Sequence, residues 1–125
     1  MNITLVRQLE QYDCTVACIA MILKIDYIKA RDILEYKSAC IERTTIVKIL
    51  EQHNCIIRSW YDKRIEYLAD CYLCSVKVYS YSSFNHAVVM DKQNNVFDPN
   101  KDNICALRDY FSIDNIMNIF MSKAL

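Results

Sequence analysis

The chain has no glycine in 125 residues and a single proline, Pro99. Without glycine no phosphate-cradling loop of the P-loop or Rossmann type can be written, which excludes those modes of nucleotide binding. No Pro/Gly-rich linker, low-complexity tract or internal repeat interrupts the chain. Residues 1–125 therefore read as one domain, of a size that supports one core. Excess charge is missing too: Lys+Arg and Asp+Glu number 15 each. That balance argues against a broad electrostatic footprint for nucleic acid or an acidic membrane. No apolar run approaches membrane-spanning length, and no basic stretch precedes one near the N-terminus. The expectation is a soluble, cytoplasmic protein with no membrane span.

What is abundant is apolar surface, at 54% hydrophobic residues, and cysteine, at seven. An odd cysteine count without a secretory signal points to free thiols rather than a disulfide framework. Periodicity divides the chain. Residues 14–24 (CTVACIAMILK) read as a largely buried helix with Asp13 as N-cap. Residues 26–36 read as a second helix, capped by Asp26, with Ile28, Ala30, Ile33 and Leu34 at helical spacing. Residues 44–54 read as a third, capped by Thr44 or Thr45, through Ile46, Val47, Ile49 and Leu50. The period then changes. Strands are predicted at 55–61, 72–82 and 86–91, with a short helix or loop at 62–71. Asn94-Asn95 suits a tight hairpin between 86–92 and 96–98. Residues 107–121 return to helical spacing. Helices first and strands afterwards indicate an α+β fold with an antiparallel sheet.

Four residues carry possible chemistry: Gln8, Cys14, His86 and Asp98. Cys14 falls in the first turn of a helix, where unpaired N–H groups and the macrodipole favour a thiolate. His86 opens a strand after a polar loop, and an imidazole there could lower the thiol pKa and later protonate a leaving group. Asp98 lies on the neighbouring strand of the hairpin, placed to hold the other ring nitrogen and fix its tautomer. Gln8 could set its amide beside the Cys14 N–H as an oxyanion donor. Asp13 pulls the other way, because a carboxylate next to Cys14 raises the thiol pKa unless it is turned away or engaged as the cap.

Gln-x5-Cys within QLEQYDCTVACIAMI, then NHAVVM, then VFDP, resembles the C39 peptidase family, the bacteriocin-processing branch of the papain-like cysteine peptidases. The resemblance spans most of the chain. It implies a papain-like fold with N-terminal helices packed on a C-terminal antiparallel sheet. It also implies a cysteine peptidase that cleaves a peptide or protein amide through an acyl-enzyme, with no cofactor or metal. By match of motif, Cys14 becomes the nucleophile, His86 the general base and acid, Asp98 its orienter and Gln8 the oxyanion donor. Two departures stand out. Thr15 follows the nucleophile where the family usually has glycine, and a side chain there could narrow the cleft. No transporter is attached, so the leader-peptide substrate of exporter-linked members does not carry over, and there is room for a separate partner protein. A silent peptide-binding module, or a deamidase or transferase on the same triad, is the alternative.

The remaining candidates read as structural. Cys18, Cys40 and Cys105 are taken as inert packing thiols. His53-x-Cys55 with Cys71-x-x-Cys74 has zinc-like spacing, but Cys55 opens an apolar strand and Cys71-Tyr-Leu-Cys74 lacks turn residues, so paired buried thiols are expected there. Tyr72, Tyr79 and Tyr81 are read as strand packing, with residues 79–84 also approaching the substrate cleft. Trp60 is read as a core or half-buried strand residue.

Overall fold

The computed structural model describes residues 1–58, 64–66, 68–80 and 85–122. Three helices come first: α1 (Cys14–Leu23), α2 (Tyr27–Ile33) and α3 (Arg43–Gln52). Six strands follow: β1 (Cys55–Arg58), β2 (Cys71–Lys77), β3 (His86–Met90), β4 (Asn95–Phe97), β5 (Cys105–Ala106) and β6 (Ser112–Met121). They form one sheet in the order β1-β6-β2-β3-β4-β5, and every neighbouring pair is antiparallel. The fold is α+β, as the order of periods implies. No described helix is long and apolar enough to cross a membrane.

Local chemistry accounts for most element ends. Asp26 caps α2 by accepting from the Lys29 N–H at 2.8 Å. The third helix begins earlier than expected, at Arg43 with Glu42 as its cap residue, rather than at Thr44 or Thr45. With no glycine available, Lys24 closes α1 and Asn94 turns the β3–β4 hairpin, at φ 55° and 65°. Asparagine tolerates that left-handed region well, and its turn is secured by Asp91, whose Oδ1 accepts from the N–H groups of Gln93 and Asn95. The hairpin pairs Val89 with Phe97 and Met90 with Val96, in the place predicted for it. Of the expected strand 55–61, residues 59–61 lie outside the described residues, as do Trp60 and residues 81–84 with Tyr81; in the expected helix or loop at 62–71, the described residues 64–66 and 68–70 carry no regular element.

The expected C-terminal helix is overturned. Residues 107–121 do not form a helix: a 3-10 turn at Leu107–Asp109 leads into β6, which lies between β1 and β2 in the sheet. Ile113, Ile116, Met117 and Phe120 have helical spacing in sequence, but β6 is covered on both faces. Met117 and Ile119 join the core shared with the helices, and Ile116 joins the cluster on the opposite face with Ile113 and Phe120 packed against it. A bulge opposite Ser75/Val76 inserts one residue and shifts the alternation. A strand buried on both faces loses the period of two, so hydrophobic spacing cannot identify it.

Asn118, fully buried on β6, ties down the segment before β2. Its Oδ1 accepts from the Glu66 N–H at 3.0 Å, and its Nδ2 donates to the Arg64 carbonyl at 3.1 Å. Asn118→Ala should strand both groups and lower stability by roughly 2 kcal/mol. The check is a urea midpoint that falls at unchanged slope; a change no larger than that of a surface substitution would show that other partners satisfy them.

The helix-side core holds Val16, Ile19, Ile22, Leu50, Val89 and Ile119 among its members. Through it α1 lies against β3, setting the N-terminus of one at the start of the other. Cys71 and Cys74, three apart on β2, fall in the clusters on opposite faces of the sheet. An extended strand cannot turn both thiols to one ion, so their spacing is a packing feature.

Candidate active site

Cys14 is the first residue of α1, and mostly buried His86 is the first of β3. The packing of that helix on that strand brings them together across 72 positions of sequence, close enough for each to shift the other's pKa. His86 Nε2 meets Asp98 Oδ1 at 2.5 Å, which leaves Nδ1 as the nitrogen facing the thiol. Asp98 follows β4 directly and is 1% exposed. Its Oδ1 also accepts from the Asn100 N–H at 2.8 Å, and its Oδ2 accepts from the Tyr110 hydroxyl. Cys14, His86 and Asp98 line one side of an open cleft of about 640 Å³, with Thr15 beside the thiol.

The electrostatics follow from these contacts. Burial by itself would raise the Cys14 thiol. The His86 hydrogen bond, the Ala87 main-chain N–H, the imidazolium charge and the Thr15 hydroxyl outweigh it, and the thiol sits below its ordinary 9.0. Burial would lower His86, but the bonds to Asp98 and Cys14 and their negative charges lift it from 6.5 to about 9. Asp98 is pushed up by burial and, more strongly, held down by His86, Tyr110 and the Asn100 N–H. The combination favours a thiolate–imidazolium pair backed by a carboxylate. The other displaced thiols move the opposite way. Burial takes Cys71 and Cys74 up to about 12 and raises Cys55, and burial with the charges of Cys14 and Asp98 raises Cys18, one turn along the same helix.

Asp13 does not oppose this arrangement. It makes no capping bond to α1 and is fully buried, turned away from the cleft. Its Oδ2 accepts from the N–H groups of Leu9 and Glu10 at 2.9 and 3.1 Å and from the Tyr27 hydroxyl at 2.5 Å. The carboxylate thus shapes the loop that delivers Cys14, and leaves the first N–H groups of α1 without a side-chain cap from this residue.

Gln8 is placed differently from the other three. Its main-chain N–H donates to the Pro99 carbonyl at 2.9 Å, so the segment before α1 is fastened to the loop after Asp98. Arg7 reinforces this through Nε on the same carbonyl and through an ion pair with Asp102. The Gln8 side chain, however, donates from Nε2 to the carbonyls of Glu10 (2.8 Å) and Gln11 (3.4 Å) rather than toward Cys14, and its Oε1 is buried without a partner.

Three further residues bear on the site. Cys40 is exposed and lines the cleft, correcting its reading as a packing thiol, because the loop between α2 and α3 forms part of the wall. Cys105 is half-buried beside Tyr110. Tyr110 itself was invisible in a run with helical spacing; no sequence signal placed it near Asp98. Tyr79, expected near the cleft, does line it.

Among solved structures, the chain resembles the peptidase domain of Streptococcus ComA, described as a bi-functional ABC transporter involved in a quorum-sensing pathway. The TM-score is 0.64 at 17% sequence identity, covering 98% of this chain and 100% of that one. The fold is that of this peptidase domain. At this identity the likeness shows the fold, with the helices packed on the antiparallel sheet as the sequence implies. No family model and no curated protein matches the chain.

Proposed function

We propose that this protein is a C39-like cysteine peptidase that cleaves a peptide or protein amide through a Cys14–His86–Asp98 triad. The observation that carries the reading is the Cys14 thiol beside His86 in one open cleft, with His86 Nε2 held by a buried carboxylate. The peptidase-domain fold supports it. The Cys14 thiolate attacks the scissile carbonyl, and the π electrons move to oxygen. The resulting oxyanion lies against the N-terminus of α1, where main-chain N–H groups stabilise it. His86 passes its proton to the departing amine, leaving a thioester. Neutral His86 then takes a proton from water, which attacks the thioester and releases the acid and the thiolate. Gln8 serves as second oxyanion donor by exchanging its longer bond, to the Gln11 carbonyl, for the substrate oxygen.

The cleft contains a built-in control, because Cys40 is an exposed thiol that also lines it. Near neutral pH, iodoacetamide should modify Cys14 about tenfold faster than Cys40. The Cys14 rate should reach half its plateau below 9.0. Peptide mapping of modified protein across pH reads both. Equal labelling of the two thiols, or a Cys14 midpoint at 9.0, would count against an activated nucleophile.

A further inference from the structure

The carboxylate of Asp98 has two oxygens and the imidazole needs only one. Oδ1 serves His86 and the Asn100 N–H, whereas Oδ2 receives the phenol of Tyr110. Because an ionised carboxylate only accepts, the single phenolic proton must point to Asp98. The phenol oxygen is then an acceptor for Cys105, whose Sγ lies 3.3 Å away and also 3.6 Å from the Val96 carbonyl. Burial, Asp98 and Cys105 all push the phenol well above its ordinary pKa, so it remains a donor through the working range.

The placement of this phenol is built into the backbone. The 3-10 turn at Leu107–Asp109 is closed by the Asp109 carboxylate accepting from the Ala106 N–H at 2.9 Å. The Tyr110 N–H donates to the Leu107 carbonyl at 3.1 Å, and the Phe111 N–H donates to the Lys77 carbonyl at 2.8 Å. The main chain is therefore fixed on both sides of a side chain that is 9% exposed.

We propose that Tyr110 is a positioning residue of the site, pinning the Asp98 carboxylate plane so that Oδ1 stays on His86 Nε2. Its role rests on the peptidase reading given above. Without the hydroxyl, Oδ2 is left buried and unpaired, and a carboxylate in that state turns toward any remaining donor. The neighbouring donors are the Asn100 N–H, which already sits on Oδ1, and the Cys105 thiol, freed from the phenol. Rotation toward either lengthens the bond to His86. The other charged or titratable groups near the pair are Cys14 and Cys18 on α1, His86 on β3, Lys101 and Asp102 in the loop after Asp98, Cys105 on β5 and Asp109 in the 3-10 turn. Among the described residues the Tyr110 phenol is the donor on Oδ2, and Asp102 and Asp109, being carboxylates, cannot replace it. Loss of one donor also concentrates charge on the carboxylate, which would raise His86, but misalignment of the bond to Nε2 outweighs it.

The test is Tyr110→Phe, which keeps the ring. Only two histidines are present, so the imidazole signals of His86 and His53 can be assigned with His53→Gln and titrated by NMR, without any substrate. The His86 midpoint should fall by about one pH unit, and kcat on a cleaved peptide by about tenfold at unchanged KM. Cys105→Ala, which removes the neighbour and spares the pin, should leave the midpoint in place. An unmoved or higher midpoint in Tyr110→Phe, even with a lower Tm, would overturn the proposal and leave Tyr110 a packing residue. So would an equal shift in Cys105→Ala. Absence of peptide cleavage by the wild type would sink the peptidase reading while the NMR midpoint still judges the pin.

Discussion

Cys14→Ala and His86→Ala should each reduce peptide cleavage by about 10⁴-fold or more, and the double variant should be no slower than the worse single one. The non-additivity follows from the geometry. The thiol sits in a half-buried position that on its own favours the neutral form, and much of what reverses this comes from His86. Removing the imidazole therefore removes the thiolate as well as the proton donor, and a second deletion has nothing left to remove. The residual rate would come from the N-terminus of α1 and from peptide held in the cleft. Alkylation separates the causes. In His86→Ala the Cys14 midpoint should rise, since burial still acts and two of the opposing influences are gone. A peptide that the wild type cleaves, found by screening a peptide library, gives the rates, and its binding to Cys14→Ala gives the affinity. Binding without cleavage in the wild type would favour a silent peptide-binding module. Full cleavage by either single variant would remove the triad from the mechanism.

Those two residues were legible as candidates because each sits at an element boundary that sequence chemistry marks. Cys14 opens an apolar helical run after Asp13, and His86 opens a valine-rich strand after a polar loop. Their contact was not legible. It depends on α1 lying across β3 through Val16, Ile19 and Val89, which is a property of the folded core. Asp98 was legible through the Asn94 turn, which sets the register of the hairpin and leaves Asp98 just past β4.

The misreadings share a cause. Hydrophobic spacing reports which faces are buried, and it fails when two are. On β6, coverage of both faces and a bulge at Ser75/Val76 generated a helix-like pattern from a strand. The same error hid Tyr110, since a helix over 107–121 gives no reason for its phenol to reach a residue twelve positions earlier. Gln8 shows a different limit. Its spacing from Cys14 resembles that of an oxyanion donor, but spacing does not fix a rotamer: the amide donates to two carbonyls of its own loop and must turn from one of them to reach a substrate oxygen. Asp13 shows that a capping residue in sequence can be spent elsewhere: Leu9, Glu10 and Tyr27 claim the oxygen that α1 would have used.

Asp98→Asn should separate charge from orientation at the site. In the variant, the amide oxygen can take the place of Oδ1, still accepting from the Asn100 N–H and from His86. The amide NH₂ then faces Tyr110, which must become an acceptor. Cys105 makes that possible, because its sulfur, 3.3 Å from the phenol oxygen, can receive the phenolic proton. The hydrogen-bonded frame therefore survives with the ring still held in its tautomer, and what disappears is the negative charge. His86, raised to about 9 with the carboxylate in place, loses that support while burial continues to act downward. Its midpoint should fall toward 6.5 or below. The sign for activity follows: a raised imidazolium pKa sustains the ion pair up to about 9, so the alkaline limb of kcat/KM should move down with the midpoint. The loss in kcat should be about 10²-fold, smaller than the roughly 10⁴-fold that follows when such a substitution also imposes the wrong tautomer. Pairing Asp98→Asn with Cys105→Ala tests the relay, since without the sulfur the phenol has no acceptor for its proton and turns it against the amide NH₂. That double variant should lose a further factor of about ten. An Asp98→Asn protein with an unmoved His86 midpoint would show that the carboxylate charge does not set the protonation of the ring.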